Sequence, residues 1–304
     1  MTDMSICIPI YNRDMRETVA RLVRQAAEVA EEALCDVVCI DDFSEDNYRE
    51  ANRSLSDCCQ YIELENNVGR SRIRNMFLNH THSTWLLFLD CDAVVPDGFV
   101  GRYVQTLKNA DHMMVICGGR DYSPESDDRG HHLRYRYGVE CESRRADERC
   151  KQPYRSFMTN NFAVRREILE QIPFDEHISR YGHEDTLFGY RLKQNRVKIG
   201  HIDNPITNGD VEPNEEFLRK TQEGVRSLAD ICRRTGWDEG FVSQVALLQF
   251  YSKVRKIKAD RVVLMLFKLL KPWLEQGFIS GCRTNMKLFA FYKLGLFVDE
   301  VSTF

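Results

Sequence analysis

Along the first two thirds of the chain, short continuous apolar runs recur over residues 4–10, 36–40, 60–64, 85–89, 113–117, 157–164 and 197–202. Most of the intervals between them carry helical spacing. A continuous apolar run of strand length, without strict alternation, belongs to a strand covered on both faces. The pattern predicts an α/β fold: a Rossmann-like, mostly parallel sheet flanked by helices.

Local signals sharpen the picture. Pro9 and Tyr11-Asn12 should end the first strand. Asp14 can cap a helix running to about residue 33, with Met15, Val19, Leu22, Ala26, Ala30 and Ala33 on one face. Asn66 to Gly69 reads as a turn into a helix carrying Arg70, Arg72 and Arg74. A helix is expected over 96–110, and the run at 197–202 as the last strand, stopped by Asn204-Pro205. Residues 120–154 are polar and too long for an ordinary connection, so a functional flap or partly mobile insertion is expected there.

Beyond about Pro213 only helical periods recur, over 215–233, 241–257, 261–274 and 283–297. The expected division is an α/β domain over 1–212 and an all-helical C-terminal subdomain over 213–304, serving packing, dimerisation or membrane association. The period at 261–274 is apolar nearly all round, with basic residues before and after it. Such a stripe belongs to a core more often than to a membrane foot, so packing in the subdomain or a homodimer is the expectation. The alternative is peripheral contact with the inner face of a membrane.

Composition changes this little. The chain has 304 residues and a formal net charge of -4, so neither nucleic acid nor an anionic surface is implied globally. No stretch is apolar enough to span a bilayer, and residues 1–10 are too short and acidic for a signal peptide. The 11 cysteines form no C-x-x-C pair. They read as buried free thiols in a reducing cytoplasm.

Candidate chemistry sits at strand ends. The run at 85–89 leads into Asp90-Cys91-Asp92, and alternation lets both carboxylates point the same way. Two close carboxylates repel, and one would protonate unless a cation sat between them. A hard divalent ion with oxygen ligands suits that place and keeps positions open for phosphate oxygens. In open α/β sheets, ligands bind beyond the carboxyl ends of the strands. The second strand also ends in acids, Asp41-Asp42, and Glu184-Asp185 opens a helix, where acids suit the dipole.

Taken in order, these blocks resemble a known family. Ser5-Ile-Cys-Ile-Pro-Ile-Tyr-Asn-Arg13, Val38-Cys-Ile-Asp-Asp-Phe-Ser44, Asn67-Val-Gly-Arg-Ser-Arg-Ile-Arg-Asn75 and Phe88-Leu-Asp-Cys-Asp92 resemble successive blocks of the inverting family 2 glycosyltransferases with the GT-A fold. Asn160 to Glu167, Phe174-Asp-Glu176 and Tyr181 to Leu192 resemble that family's acceptor half. Gly182-His-Glu-Asp185 is similar to the Gly-x-Glu-Asp motif of galactosyltransferases. The resemblance covers residues 4–208, and the helical tail lies outside it.

The resemblance implies an inverting transfer from a UDP-sugar to a hydroxyl of a saccharide or lipid-linked saccharide, in building a bacterial surface polysaccharide. Pro9, Tyr11 and Arg13 sit where the family's first loop cradles the nucleoside. Asp42 matches the acid that contacts uracil or ribose. Arg72 matches a position near the nucleotide, from which a guanidinium could pair with Asp42 or phosphate. Asp90 and Asp92 match the D-x-D that holds Mn²⁺ or Mg²⁺ against the diphosphate, with Asp92 the direct ligand. Asp185 matches the catalytic base, with Glu184 beside it.

One departure matters. The family often places a metal-ligating His after the last strand, and the matching residue here is Asn208. Asn offers a weaker oxygen donor, and His201 and Asp210 are nearby substitutes. A catalytically weak relative that binds nucleotide-sugar or partner enzymes is therefore an alternative. A metal-dependent nucleotidyltransferase is a third, although residues 10–16 lack the Gly and Lys of a phosphate loop. No G-x-G-x-x-G follows the first strand, which disfavours a dinucleotide dehydrogenase.

Overall fold

The apolar runs of the first two thirds pair into one seven-stranded sheet in this computed structural model, which describes residues 1–110, 112–123, 127–209 and 211–302. In chain order the elements are β1 (Thr2–Ile10), α1 (Arg16–Glu28), β2 (Ala33–Asp41), α2 (Asp46–Asn52), β3 (Gln60–Glu63), α3 (Arg70–His80), β4 (Trp85–Leu89), β5 (Ala93–Val94) and α4 (Phe99–Lys108). Next come β6 (Val115–Cys117), β7 (Arg120–Tyr122), α5 (His132–Tyr137), α6 (Ala146–Arg149), β8 (Asn161–Arg165), α7 (Arg166–Gln171), α8 (Glu184–Gln194), β9 (Ile199–His201) and β10 (Ile206–Asn208). The rest is helical: α9 (Asn214–Arg234), α10 (Glu239–Gln244), α11 (Ala246–Lys256), α12 (Asp260–Ile279) and α13 (Met286–Ser302).

The chain divides into two compact units. The first comprises Met1–Asp121, Ser143–Glu176 and Arg191–Gly209, and the second Tyr122–Glu142, His177–Tyr190 and Asp210–Phe304.

The first unit holds the sheet, in the order β3-β2-β1-β4-β8-β6-β9. β1 pairs in parallel with both β2 and β4, while β8 runs antiparallel between β4 and β6. The chain leaves β1 toward β2 and β3, then returns to place β4 on the other side. That reversal opens a crevice beyond the carboxyl ends of β1 and β4, the usual ligand site of such sheets. Both faces of these strands are covered, which is why their sequences do not alternate. Met4, Ile6 and Ile8 pack with Val19 and Leu22 of α1 and Val100 and Val104 of α4. Another aromatic group joins Phe88 to Phe77 of α3 and to Phe162, with Phe174 against Phe162.

Several expectations need correction. Pro9 does not end β1; it lies inside the strand, opposite Ile40. The pairing with β4 stops at Cys7, so on that side the missing N–H of Pro9 breaks no ladder bond. α1 ends at Glu28, where Val29 and Ala30 bond three residues back in a tight last turn. Ala30 is exposed, and Ala33 instead opens β2. Residues 197–202 are not the last strand, because Ile206–Asn208 forms β10 in a small second sheet, β5-β10-β7. The polar stretch after Arg120 carries β7, α5 and α6.

In the second unit, α9 buries Val225, Leu228 and Ile231 against Leu248 of α11 and Phe297 of α13. A second, aromatic cluster joins Phe217, Phe267, Phe278, Phe289 and Tyr292. Arg134 is buried beside it, 3.2 Å from Glu142 and 3.4 Å from Glu212. α12 is not packed all round: Phe267, Leu274 and Phe278 face inward, while Val262, Met265 and Leu269 are exposed. All cysteines are free, but Cys58, Cys141, Cys150 and Cys282 are exposed, not buried as expected.

Candidate active site

The loop after β1 is held rigid by its neighbours in the first unit. Asn12 N donates to Ser44 Oγ at 2.8 Å, and Glu45 N donates to Asn12 Oδ1 at 2.8 Å. Asn52 Nδ2 donates to Arg13 O at 2.8 Å, and Asn52 Oδ1 accepts from Met15 N at 2.9 Å. Tyr11 stands exposed on this frame. A backbone hydrogen bond from Tyr11 reaches the Cys91 thiol, whose pKa burial pushes up to about 11. The loops after β1 and β4 are therefore neighbours, as the crevice requires.

The two acids after β2 divide in role. Asp41 is fully buried and accepts from Ser44 N at 2.7 Å and Tyr61 Oη at 3.2 Å. Asp42 accepts from Val68 N at 2.6 Å and Gly69 N at 3.0 Å, at the start of α3. Burial raises the Asp42 pKa, and those two N–H groups only partly offset it. Arg72 is exposed and forms no ion pair with Asp42, contrary to one sequence expectation. The helical period explains this: positions 70 and 74 share a face, and 72 lies away from it.

The acids after β4 each meet an arginine. The chain does not stay extended through them; it turns, with Ala93 N donating to Asp90 O at 3.1 Å. Asp90 Oδ1 accepts from Arg74 Nη2 at 2.8 Å, and Arg74 is almost fully buried. Burial alone would raise the Asp90 pKa, but Arg74, Arg70 and Arg120 outweigh it and hold the carboxyl below its usual range. Asp92 Oδ2 accepts from Arg120 Nη2 at 2.9 Å and from Asn208 Nδ2 at 3.3 Å. The repulsion that the sequence argument relieved with a metal is thus relieved by guanidinium groups.

One oxygen is left over. Asp92 Oδ1 is buried and has no hydrogen-bond partner. A buried carboxylate oxygen without a donor is costly, and a hard cation would satisfy it. β10 pairs antiparallel with β5, setting Asn208 opposite Ala93 and so beside Asp92. Among the described residues, no group of three or more His, Cys, Asp or Glu could hold a metal. With so few protein donors, the site fits an ion that takes most of its ligands from water and phosphate, as Mg²⁺ commonly does.

His201 is no substitute ligand. Its Nε2 lies 3.0 Å from Pro153 O and its Nδ1 3.1 Å from Arg149 Nη1, which fits a neutral ring donating through Nε2. Burial lowers its pKa to about 4. Asp210 lies outside the described residues.

Sequence reasoning missed three arginines. Arg74 and Arg120 neutralise Asp90 and Asp92. Arg149 is buried and donates to Cys117 O at 3.1 Å, Gly118 O at 3.1 Å and Ile202 O at 2.7 Å. It thereby fixes the Gly118-Gly119 turn that delivers Arg120. Gly119 has φ +97°, and a Cβ there would come within 2.7 Å of Arg149 Nη2. Gly-Gly-Arg directly after an apolar strand was the available signal.

The acceptor-side motif lies in the second unit. Gly182 (φ 89°) and His183 (φ 68°) turn the chain into α8, and Ser227 Oγ pins Gly182 O at 2.8 Å. Only glycine adopts that conformation at no steric cost. Glu184 is buried. Asp185 Oδ1 accepts from Thr186 N at 2.6 Å and Thr186 Oγ1 at 3.1 Å, which fixes its rotamer at the helix start. Burial lowers the His183 pKa to about 4, so the imidazole is neutral at pH 7.

The sheet order and the acids beyond β2 and β4 define an α/β protein whose polar site lies at the carboxyl ends of its strands. Residues 5–173, more than half the chain, match the model of glycosyl transferase family 2, and the chain belongs to that family. It is a glycosyltransferase. The uncharacterized glycosyltransferase YfnE of Bacillus subtilis (strain 168) is 26% identical over 283 residues, covering 74% of this chain and 71% of YfnE. The mannosyltransferase PcManGT from Pyrobaculum calidifontis, solved with GDP-Man and Mn²⁺, superposes with TM-score 0.54 at 13% identity, over 100% of this chain and 87% of that one. Glucosyl-3-phosphoglycerate synthase from Mycobacterium tuberculosis, solved with Mg²⁺ and UDP, gives TM-score 0.51 at 15% identity, over 77% and 80% of the two chains. At these identities the likeness speaks for the GT-A fold.

Proposed function

We propose that the chain moves a sugar from a UDP-sugar to a hydroxyl of a saccharide or lipid-linked saccharide, with inversion, in building a surface polysaccharide. The observation that carries this reading is the unpartnered, buried Oδ1 of Asp92 beyond β4, in a chain of this family. Residues 1–212 would form the transferase part and 213–304 its helical extension.

Pro9, Tyr11 and Arg13 would cradle the nucleoside, with Asp42 on the uracil or ribose and Arg72 near the phosphates. Mn²⁺ or Mg²⁺, held by Asp92 with Asp90 and Asn208, would supply positive charge where the leaving diphosphate gains its negative charge. Asp185 takes the proton of the acceptor hydroxyl as its oxygen bonds the anomeric carbon and the bond to the diphosphate oxygen breaks. Glu184 and the neutral His183 orient the acceptor.

A thermal-shift screen of nucleotide-sugars with and without Mn²⁺ tests the donor assignment, because a ligand that binds only native protein raises its apparent stability. A UDP-sugar should raise the midpoint, and more so with Mn²⁺. No shift with any UDP-sugar would contradict the reading. The amide at position 208 keeps a second reading in play, a catalytically weak relative that binds nucleotide-sugar without transfer. It predicts the same shift and no turnover.

A further inference from the structure

The helical second unit exposes an apolar stripe. On α12, Val262, Met265, Leu266, Leu269 and Trp273 fall at spacings of three and four and share one face of the helix. That face is opposite the buried one: Leu269 is 76% exposed and Met265 64%, while Phe267, Leu274 and Phe278 are fully buried. Ile257, in the turn just before α12, extends the stripe at 75% exposure. A soluble surface rarely keeps large apolar side chains contiguous at helical spacing without a partner.

Charge identifies the partner. Lys253 and Lys256 end α11, Lys258 sits in the turn, and Arg261 starts α12. None of these four pairs with a carboxylate among the described residues. At the other end of the stripe, the Arg283 guanidinium lies 3.6 Å over the Trp273 ring. An apolar helix face with unpaired cations at its end matches the surface of an anionic bilayer. A second copy of the chain is a poorer match, because a two-fold contact would set these cations against their own copies if the helices ran parallel and against the Arg283 end if they ran antiparallel. No described helix is long and apolar enough to cross a membrane, so the stripe would lie along the surface.

We propose that α12 and the turn before it form a docking surface for an anionic lipid bilayer, with Leu269, Met265 and Trp273 entering the acyl boundary and Lys256, Lys258 and Arg261 meeting lipid headgroups. Burying the bases of long cationic side chains along the same surface would add apolar contact. The inference uses neither the donor nor the transfer chemistry.

Vesicle flotation of the full chain without nucleotide-sugar tests it, separately from any transfer assay. Wild type should float with phosphatidylglycerol-containing vesicles and much less with neutral phosphatidylcholine vesicles. Leu269→Glu with Met265→Glu should weaken binding by at least about tenfold, since each exchange puts a charge where the apolar boundary would be. Replacing Lys256, Lys258 and Arg261 together by Gln should weaken it by about 100-fold, at roughly fivefold per cation. All five positions are exposed or half-exposed, so an unchanged thermal midpoint should accompany the loss. Wild type that stays in the soluble fraction with both vesicle types would overturn the proposal. So would variants that float like wild type, or a wild-type dimer that Leu269→Glu splits while vesicle binding is absent.

Discussion

Arg120 Nη2 lies 2.9 Å from Asp92 Oδ2, while the other oxygen of the same carboxylate is buried without a donor. One half of Asp92 is neutralised by the chain, and the other half is left for something else. If that is a divalent ion, Arg120 competes with it for the Asp92 charge and at the same time offers a guanidinium to phosphate oxygens. Arg120→Gln should therefore tighten Mn²⁺ binding to the protein alone, severalfold, and weaken UDP binding by about tenfold, the range of one charge-assisted hydrogen bond. Titration calorimetry with each ligand separately reads both changes.

Arg74 and Asp90 form the more buried of the two pairs. Removing one partner of a buried pair leaves an uncompensated charge and costs about 3–5 kcal/mol. Arg74→Met should reach the lower part of that range, because Arg70 and Arg120 still act on Asp90. Adding Asp90→Asn should recover part of the loss. Urea unfolding of the two single variants and the double variant closes the cycle, and additive losses would show that the pair is not coupled.

Asp42 closes the start of α3 through Val68 N and Gly69 N. Asp42→Ala should destabilise the protein by about 1–3 kcal/mol, the cost of leaving buried donors unsatisfied. Asp42→Asn keeps one acceptor and should lose less. If Asp42 also holds the nucleoside, both variants should weaken UDP binding under conditions where they remain folded.

Two histidines predict a pH dependence. His183 and His201 have pKa values lowered from 6.5 to about 4 by burial. Between those values the unfolded chain binds protons that the folded chain does not. Stability is therefore complete above about pH 6.5 and falls as pH drops toward 4. The loss reaches about 3 kcal/mol per histidine by pH 4. Urea unfolding across this window should show a shallower slope for His201→Gln than for wild type. An equal slope would place the pH dependence elsewhere.

Much of the fold was legible because a doubly covered strand writes its burial directly into a continuous apolar run. The runs at 4–10 and 85–89 mark the two strands that flank the crevice, and the sequence marks Asp92 and Asn208 as candidates that the β5–β10 pairing brings side by side. The errors came where tertiary contacts override local pattern. Ala30 and Ala33 continue a helical period, yet the chain turns after Glu28 because Ala33 is taken by the sheet. The partners of the arginines were unreadable for another reason: Gly-Gly-Arg after a strand marks Arg120, but nothing local in Arg74, Arg120 or Arg149 says which carboxylate or carbonyl each will meet. Arg72, two residues from both Arg70 and Arg74 and on the other side of α3, shows how little sequence adjacency decides.

The proposed function divides the labour: Asp92 would grip the donor and Asp185 would take the acceptor proton. The most direct measurement is steady-state sugar transfer by Asp185→Asn, alongside its UDP-sugar affinity. The account predicts kcat lowered by about 10²–10⁴-fold, the contribution of a positioned general base, with donor affinity unchanged. Transfer at the wild-type rate would contradict it.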